Sequence, residues 1–189
     1  MAKPLPSHLQ NFQAVTPGNF ENKKPPEGTY DVTLGLIKSA VAEGSGDPYF
    51  VAEYSIDAII AGNQKSTKLR TDKGDAPFVP PVEVGDECSQ FISFGGKWKD
   101  TARKNIKSLM LPAYSVLLQE VQSPAEIGDD ELAAAVDEEE QMLLGTELRL
   151  VISAKLNKDK TSYYPIHKWM PRPTDPLYSS MNETTDTDD

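Results

Sequence analysis

The sequence has little of what cross-linked, metal-binding or nucleotide-hydrolysing proteins require. Cys88 is the only cysteine, so no disulfide can form within the chain, which suits a reducing compartment. The two histidines, His8 and His167, lie far apart and lack the spacing of metal ligands. Gly95-Gly96-Lys97 lacks the preceding glycine and the hydroxyl residue of a phosphate-binding P-loop. These absences argue against an enzyme, and we expect neither a cofactor nor a bound metal.

Long apolar runs are also missing. No window approaches the ~20 apolar residues needed to span a bilayer, and the first residues contain no apolar stretch typical of a signal peptide. We therefore expect a cytoplasmic protein with no membrane contact. Hydrophobic residues make up 38% of the 189 residues and prolines number 15, so the ordered core is expected to be smaller than the chain.

Charge is abundant but segregated along the chain. The formal net charge is −10, yet residues 65–73, 97–107 and 155–172 together contain fourteen Lys or Arg and three acidic residues. Residues 129–140 and 174–189 contain seven and five acidic residues, respectively, and no Lys or Arg. Because the local field depends on how charge is distributed, a net-negative chain can still present a basic surface to a polyanion.

Alternating apolar residues predict five strands. Residues 28–36 alternate with Tyr30, Val32, Leu34 and Leu36 on one face. Residues 49–60 form the clearest strand, with one face consisting of Phe50, Ala52, Tyr54, Ile56, Ala58 and Ile60. Residues 88–94 predict a third strand, and residues 148–154 and 162–169 predict a terminal hairpin around the turn at 157–160.

Two helices are predicted between the third strand and this hairpin. From Trp98 the apolar residues follow helical spacing as far as Leu117, with a break or bend near Pro112. Residues 129–142 predict an acidic, exposed helix capped by Asp129. After Met170, three prolines in six residues are expected to end regular structure.

This order of elements favours a mainly β fold, namely a five-stranded OB-fold-like barrel with one or two helices between the third strand and the C-terminal hairpin. A parallel sheet would need a crossover helix between each pair of strands, whereas both predicted helices lie between the third strand and the hairpin. We predict an N-terminal arm at residues 1–27, an OB-fold-like nucleic-acid-binding domain at 28–171 and a disordered acidic tail at 172–189.

Aromatic residues are interleaved with the basic stretches, a combination that suits single-stranded nucleic acid, whose phosphates contact cations and whose bases stack on rings. Alternation places Tyr163 and Trp169 on one strand face and Tyr164 and Lys168 on the other, and one of these sets is expected to be core. The predicted nucleic-acid-binding residues are Lys68, Arg70, Lys73, Phe94, Lys97, Trp98, Lys99, Arg103, Lys104, Lys107, Lys158, Lys160, Tyr164 and Lys168. That the basic helix residues are merely a solvated face remains an open alternative.

Several segments together carry a family resemblance: residues 26–32, 49–54, 84–87 leading into Phe91, 102–109, and 144–148 running to 169–171. Across residues 25–171 the chain resembles small phage-encoded single-stranded-DNA-binding proteins of the OB-fold type. The resemblance implies non-sequence-specific binding of single-stranded DNA during phage DNA replication, recombination or repair in the host cytoplasm.

The resemblance also implies that the acidic tail contacts replication or recombination proteins. Such tails often end in an aromatic residue, whereas this sequence ends Thr187-Asp188-Asp189. An alternative is an acidic protein-interaction or DNA-mimic module that binds a basic partner protein. Homo-oligomerisation is left open by the sequence.

Overall fold

The computed structural model describes residues 23–41, 46–65, 79–94, 99–137, 139–156, 158, 160 and 163–183. Its centre is an antiparallel sheet of five strands: β1 (Gly28–Val41), β2 (Pro48–Gly62), β3 (Glu87–Ser93), β4 (Glu147–Leu156) and β5 (Tyr163–Pro171). The strand order is β3-β2-β1-β4-β5. Within the described residues, three helices accompany the sheet: α1 (Lys99–Leu118), α2 (Asp129–Val136) and α3 (Tyr178–Glu183). The predicted mainly β fold, with helices between the third strand and the final hairpin, is confirmed.

The inner face of the sheet and helix α1 enclose the core. Helix α1 packs against β5, β3 and β4, burying the stripe formed by Ala102, Ile106, Leu109, Met110 and Ala113. It continues through the buried Pro112, where a break or bend was predicted, although proline has no N–H to donate to the carbonyl of Ser108. Leu117, assigned to the apolar face by its spacing, is exposed.

Strand β1 departs from simple alternation. Tyr30, Val32 and Leu34 point into the core as predicted, but Leu36 is 38% exposed and Ile37 is buried instead. The register of the β1–β2 pair shifts between Leu34 and Ile37, and an extra residue at such a bulge reverses the side chains that follow. The prediction that Leu36 belongs to the core face is therefore wrong.

Strand β2 follows the prediction over its first half. Phe50, Ala52, Tyr54 and Ile56 are buried, whereas Ile60 is exposed and Ile59 packs against the core. Register shifts opposite Thr29–Val32 account for the change. The predicted continuation of the inner face through Ala58 and Ile60 is wrong.

The final hairpin pairs β4 with β5 in continuous register. Leu148, Leu150 and Ile152 are buried, as their alternation predicts. Trp169 lies on the same inner face, at 5% exposure, with its ring edge-on to Tyr54 at 5.5 Å between centroids. Its indole Nε1 donates a hydrogen bond of 3.0 Å to the side-chain oxygen of Gln90, which links β5 to β3. Of the two residues predicted to share this face, Trp169 lies in the core but Tyr163 is 41% exposed, so neither predicted set is core as a whole.

The acidic helix is shorter than predicted. Helix α2 ends at Val136, and its N-cap is Gly128, whose backbone N–H donates to the Glu131 carboxylate at 2.8 Å, so the prediction of Asp129 as the cap is wrong. The Asp137 side chain accepts hydrogen bonds from the backbone N–H groups of Glu139 and Glu140, and this turn replaces the predicted last helical residues.

Two segments flank the sheet. Within the predicted N-terminal arm, Lys23 forms an isolated parallel β-bridge with Cys88 through backbone groups. The Tyr30 hydroxyl donates a hydrogen bond of 2.9 Å to the Pro26 carbonyl of the same segment. After β5, regular structure does not end at Met170 as predicted, because α3 follows within residues 172–183. Residues 1–22 and 184–189 of the predicted arm and tail lie outside the described residues.

Candidate nucleic-acid interface

Four of the predicted cations are brought together by the first half of helix α1. The buried residues of this helix face the sheet, so the helix residues on the other side are turned towards solvent. Lys99, Arg103 and Lys104 are exposed and Lys107 is half-buried. Arg103 lies 3.4 Å from Asp100, but both side chains are largely exposed, and such a pair contributes little in water. The cations are therefore available to a polyanion.

An aromatic pair lies on the outer face of β2 and β3. The rings of Tyr49 and Phe91 are 4.8 Å apart between centroids and inclined by 30°. Phe91 is 55% exposed and Tyr49 is half-buried. In the β2–β3 register Tyr49 faces Ser93 and Val51 faces Phe91, which sets the two rings diagonally across neighbouring strands. A large aromatic surface held open to solvent is the arrangement on which a nucleobase stacks.

Neither Tyr49 nor Phe91 is among the predicted binding residues. A signal was present, because Tyr49 and Phe91 each adjoin an inward-facing residue, Phe50 and Ile92, and must therefore point outward. That the two rings meet depends on the pairing of β2 with β3, which alternation within one strand does not specify.

A cleft of about 220 Å³ joins the aromatic pair to the basic helix. Phe91 and Ser93 of β3 form one side, Thr101 and Asn105 of α1 form another, and β5 contributes Pro165 and His167. Lys104 lies three residues from Thr101 and so on the same side of the helix. Lys104 is thus the cation of α1 that lies nearest the cleft by helical position, whereas the spacing of Arg103 and Lys107 turns them towards the other flank of the helix.

His167 adds no charge to this cleft at neutral pH. Desolvation by burial lowers its pKa from 6.5 to about 4, so the imidazole is uncharged at pH 7. It contributes a neutral hydrogen-bonding ring to the lining of the cleft.

The β4–β5 hairpin carries the other cations of the predicted binding set that the structure describes. Lys158 and Lys160 are exposed at its turn, and Tyr164 and Lys168 are exposed on the outer face of β5. Cross-strand pairing places Tyr164 opposite Lys155. Because Tyr164 and Lys168 alternate with the cleft-lining Pro165 and His167, they point away from the cleft. The predicted residues of β5 therefore lie on the strand face that points away from the cleft.

Other predicted or basic residues are occupied elsewhere. Phe94 is half-buried and packs against the core, so its ring is not an open platform. Arg172, the last cation of the third basic stretch, contacts the carboxylates of Asp57 and Glu147 and the Val32 carbonyl. Five predicted residues lie outside the described residues: Lys68, Arg70, Lys73, Lys97 and Trp98.

Three further observations concern other kinds of site. Within the described ranges, no three His, Cys, Asp or Glu side chains are grouped so that they could hold a metal ion. The same part of the chain contains no helix with the length and apolar character needed to cross a membrane. The buried Cys88 thiol has a pKa raised to about 12 by desolvation, which makes it unreactive.

Comparison with known proteins does not assign the chain to a family. No protein-family model matches it, and no curated protein is significantly similar to it in sequence.

Proposed function

We propose that this protein binds single-stranded DNA without sequence specificity, through the surface formed by the Tyr49–Phe91 pair, the adjoining cleft and the basic half of α1. The single observation that carries the proposal is the exposed aromatic pair on β2–β3, together with the cleft between Phe91 and helix α1, whose first half carries four cations. Bases would stack on Phe91 while Lys99, Arg103, Lys104 and Lys107 neutralise phosphates.

The strand order supports an OB-fold-like barrel as the finer description. In that fold, oligonucleotides bind at the face of the second and third strands and at the loops between strands 1 and 2 and between strands 4 and 5. Here the aromatic pair lies on β2–β3, and Lys158 and Lys160 lie between β4 and β5. The Trp169–Gln90 hydrogen bond ties the two outermost strands together from inside, as closure would require.

The biological setting that we propose follows from the family resemblance alone: DNA replication, recombination or repair of a phage in its host cytoplasm. Non-specific stacking suits this setting, since every base presents a π-face and a coating protein must accept any sequence.

Fluorescence anisotropy of a labelled oligo-dT of ~30 nucleotides, titrated at low and moderate salt, tests the proposal. We expect binding that weakens as salt rises, with log affinity falling by about 0.7 per log unit of salt for each phosphate neutralised. Duplex DNA of the same length is the control, and it should bind more weakly because its bases are stacked within the helix. Absence of oligo-dT binding at low salt would refute the proposed function.

A further inference from the structure

A second surface lies at the opposite end of helix α1. There a groove of about 530 Å³ opens between the end of the helix, the turn before β4 and the chain that follows β5. Val116 and Leu117 form its apolar wall on the helix side, and Leu144 faces them from the turn. No part of the proposed DNA interface lines this groove.

Two of the apolar side chains that line the groove are largely exposed to solvent. Leu144 is 57% exposed and Leu117 is 40% exposed. Leu118, Val121 and Met142, their neighbours in the chain, are exposed as well. Contiguous apolar surface of this kind, rimmed by polar groups, typically marks a site of protein interaction.

Acidic residues predominate in the part of the chain that leads to this groove. Between Lys107 and Arg149 the chain contains ten acidic residues and no Lys or Arg. Glu147 and Asp175 line the groove itself. The cation in the lining is Arg172, whose guanidinium is engaged by Asp57 and Glu147 and by the Val32 carbonyl. The rim therefore attracts positive charge.

The turn that carries Leu144, and helix α2, are held in place by specific contacts. The Gln141 side chain binds both backbone groups of Ile37, accepting from its N–H at 2.9 Å and donating to its carbonyl at 3.1 Å. This contact fixes the turn that carries Glu139, Glu140 and Leu144 to the bulge of β1. The Tyr114 hydroxyl donates to the Glu131 carbonyl at 2.6 Å and joins α2 to α1. The groove is therefore preformed.

We propose that this groove binds a basic amphipathic segment of a partner protein. Apolar side chains of the segment would contact Leu117 and Leu144, while its Lys and Arg side chains would face the carboxylates of the rim. The charge complementarity selects a cationic partner over an acidic one, and the leucines select one with an apolar stripe. This assignment gives a role to the acidic helix and turn, which DNA binding does not use.

A labelled helical peptide of about 18 residues, with leucines at i, i+3, i+4 and i+7 spacing and lysines elsewhere, is a suitable probe for anisotropy titration of the full chain. Its control is a peptide of identical composition with the leucine order scrambled. Leu117→Ser/Leu144→Ser removes the apolar wall, and Val84→Ser, at an exposed site outside the groove, is the matched control. Glu147→Gln/Asp175→Asn tests the rim, with Glu83→Gln/Glu87→Gln as its charge-matched control.

We expect the patterned peptide to bind at least about tenfold more tightly than the scrambled one, with that advantage lost in the double-serine variant and kept in Val84→Ser. The rim variant should weaken binding more than Glu83→Gln/Glu87→Gln, and oligo-dT affinity should be unchanged throughout. Equal binding of both peptides, or no binding, would overturn the proposal. A concentration-dependent dimer that the double-serine variant abolishes would also overturn it, since a second copy would then fill the groove.

Discussion

Replacing Phe91 with alanine separates a stacking role from a structural one. More than half of this side chain is exposed, so the ring stabilises the fold less than a core phenylalanine does. Full burial of a phenylalanine contributes roughly 1.5–3 kcal/mol. Less than half of that, together with the partial loss of contact with Tyr49, sets the expected cost of Phe91→Ala at about 1–2 kcal/mol of unfolding free energy.

The effect on DNA affinity should be larger than the effect on folding suggests. Stacking of one base is worth roughly 1–3 kcal/mol by alanine substitution, which corresponds to about a 5- to 140-fold loss of affinity for oligo-dT. Phe91→Leu retains most of the apolar area without the ring and should lose nearly as much affinity as Phe91→Ala. Anisotropy titration gives the affinities, and urea unfolding confirms that each variant is folded under the binding conditions.

Val84→Ala, at another exposed apolar position, is the matched control and should bind as the parent protein does. An affinity for Phe91→Ala within twofold of the parent would show that bases do not stack there. A Phe91→Leu variant that binds as well as the parent would instead attribute the effect to apolar contact. Either result would show that the aromatic pair does not stack bases, and the proposed function would lose its main support.

Three other predictions follow from the described contacts. Arg103→Gln/Lys104→Gln should reduce the slope of log affinity against log salt by about 1.4, because each cation neutralises one phosphate of a single strand, and Lys24→Gln should leave the slope unchanged. Tyr54→Phe should leave the urea midpoint unchanged or raise it, since the buried Tyr54 hydroxyl has no hydrogen-bond partner in the described part of the chain. Tyr30→Phe, by contrast, should lower the free energy of unfolding by about 1–3 kcal/mol, because it leaves the Pro26 carbonyl without its donor. Because the pKa of His167 falls from 6.5 to about 4 on folding, the unfolded chain binds protons more readily between these values; stability should therefore drop as pH falls through this range, and thermal unfolding of His167→Gln should show a smaller drop.

The strands were predictable because each alternates within its own sequence. Val32 and Leu34 in β1, and Leu148 and Leu150 in β4, point inward as their period requires. The same signal fails at Leu36, because a bulge inserts one residue and every later side chain changes face. The position of a bulge depends on the partner strand, and local periodicity carries no information about it.

The candidate site was predictable in its charges and not in its aromatic surface. Helical spacing alone placed Arg103, Lys104 and Lys107 on the exposed side of α1. The aromatic pair of Tyr49 and Phe91 consists of residues that are 42 positions apart and meet only through the β2–β3 register. Trp169 and Phe94, which the composition of the basic stretches suggested, serve the core instead.

The position of the cations in the first half of helix α1 is compatible with the proposed DNA binding despite the net charge of −10. Lys104 and Leu117 are thirteen residues apart, which is roughly 20 Å along a helix. Because the Debye length is about 8 Å at physiological ionic strength, the acidic end of the molecule scarcely weakens the field at the basic end. One rigid helix thus presents a cationic surface beside the aromatic pair and an apolar, acid-rimmed groove beyond the sheet. The two surfaces can be occupied at the same time, since neither uses a residue of the other.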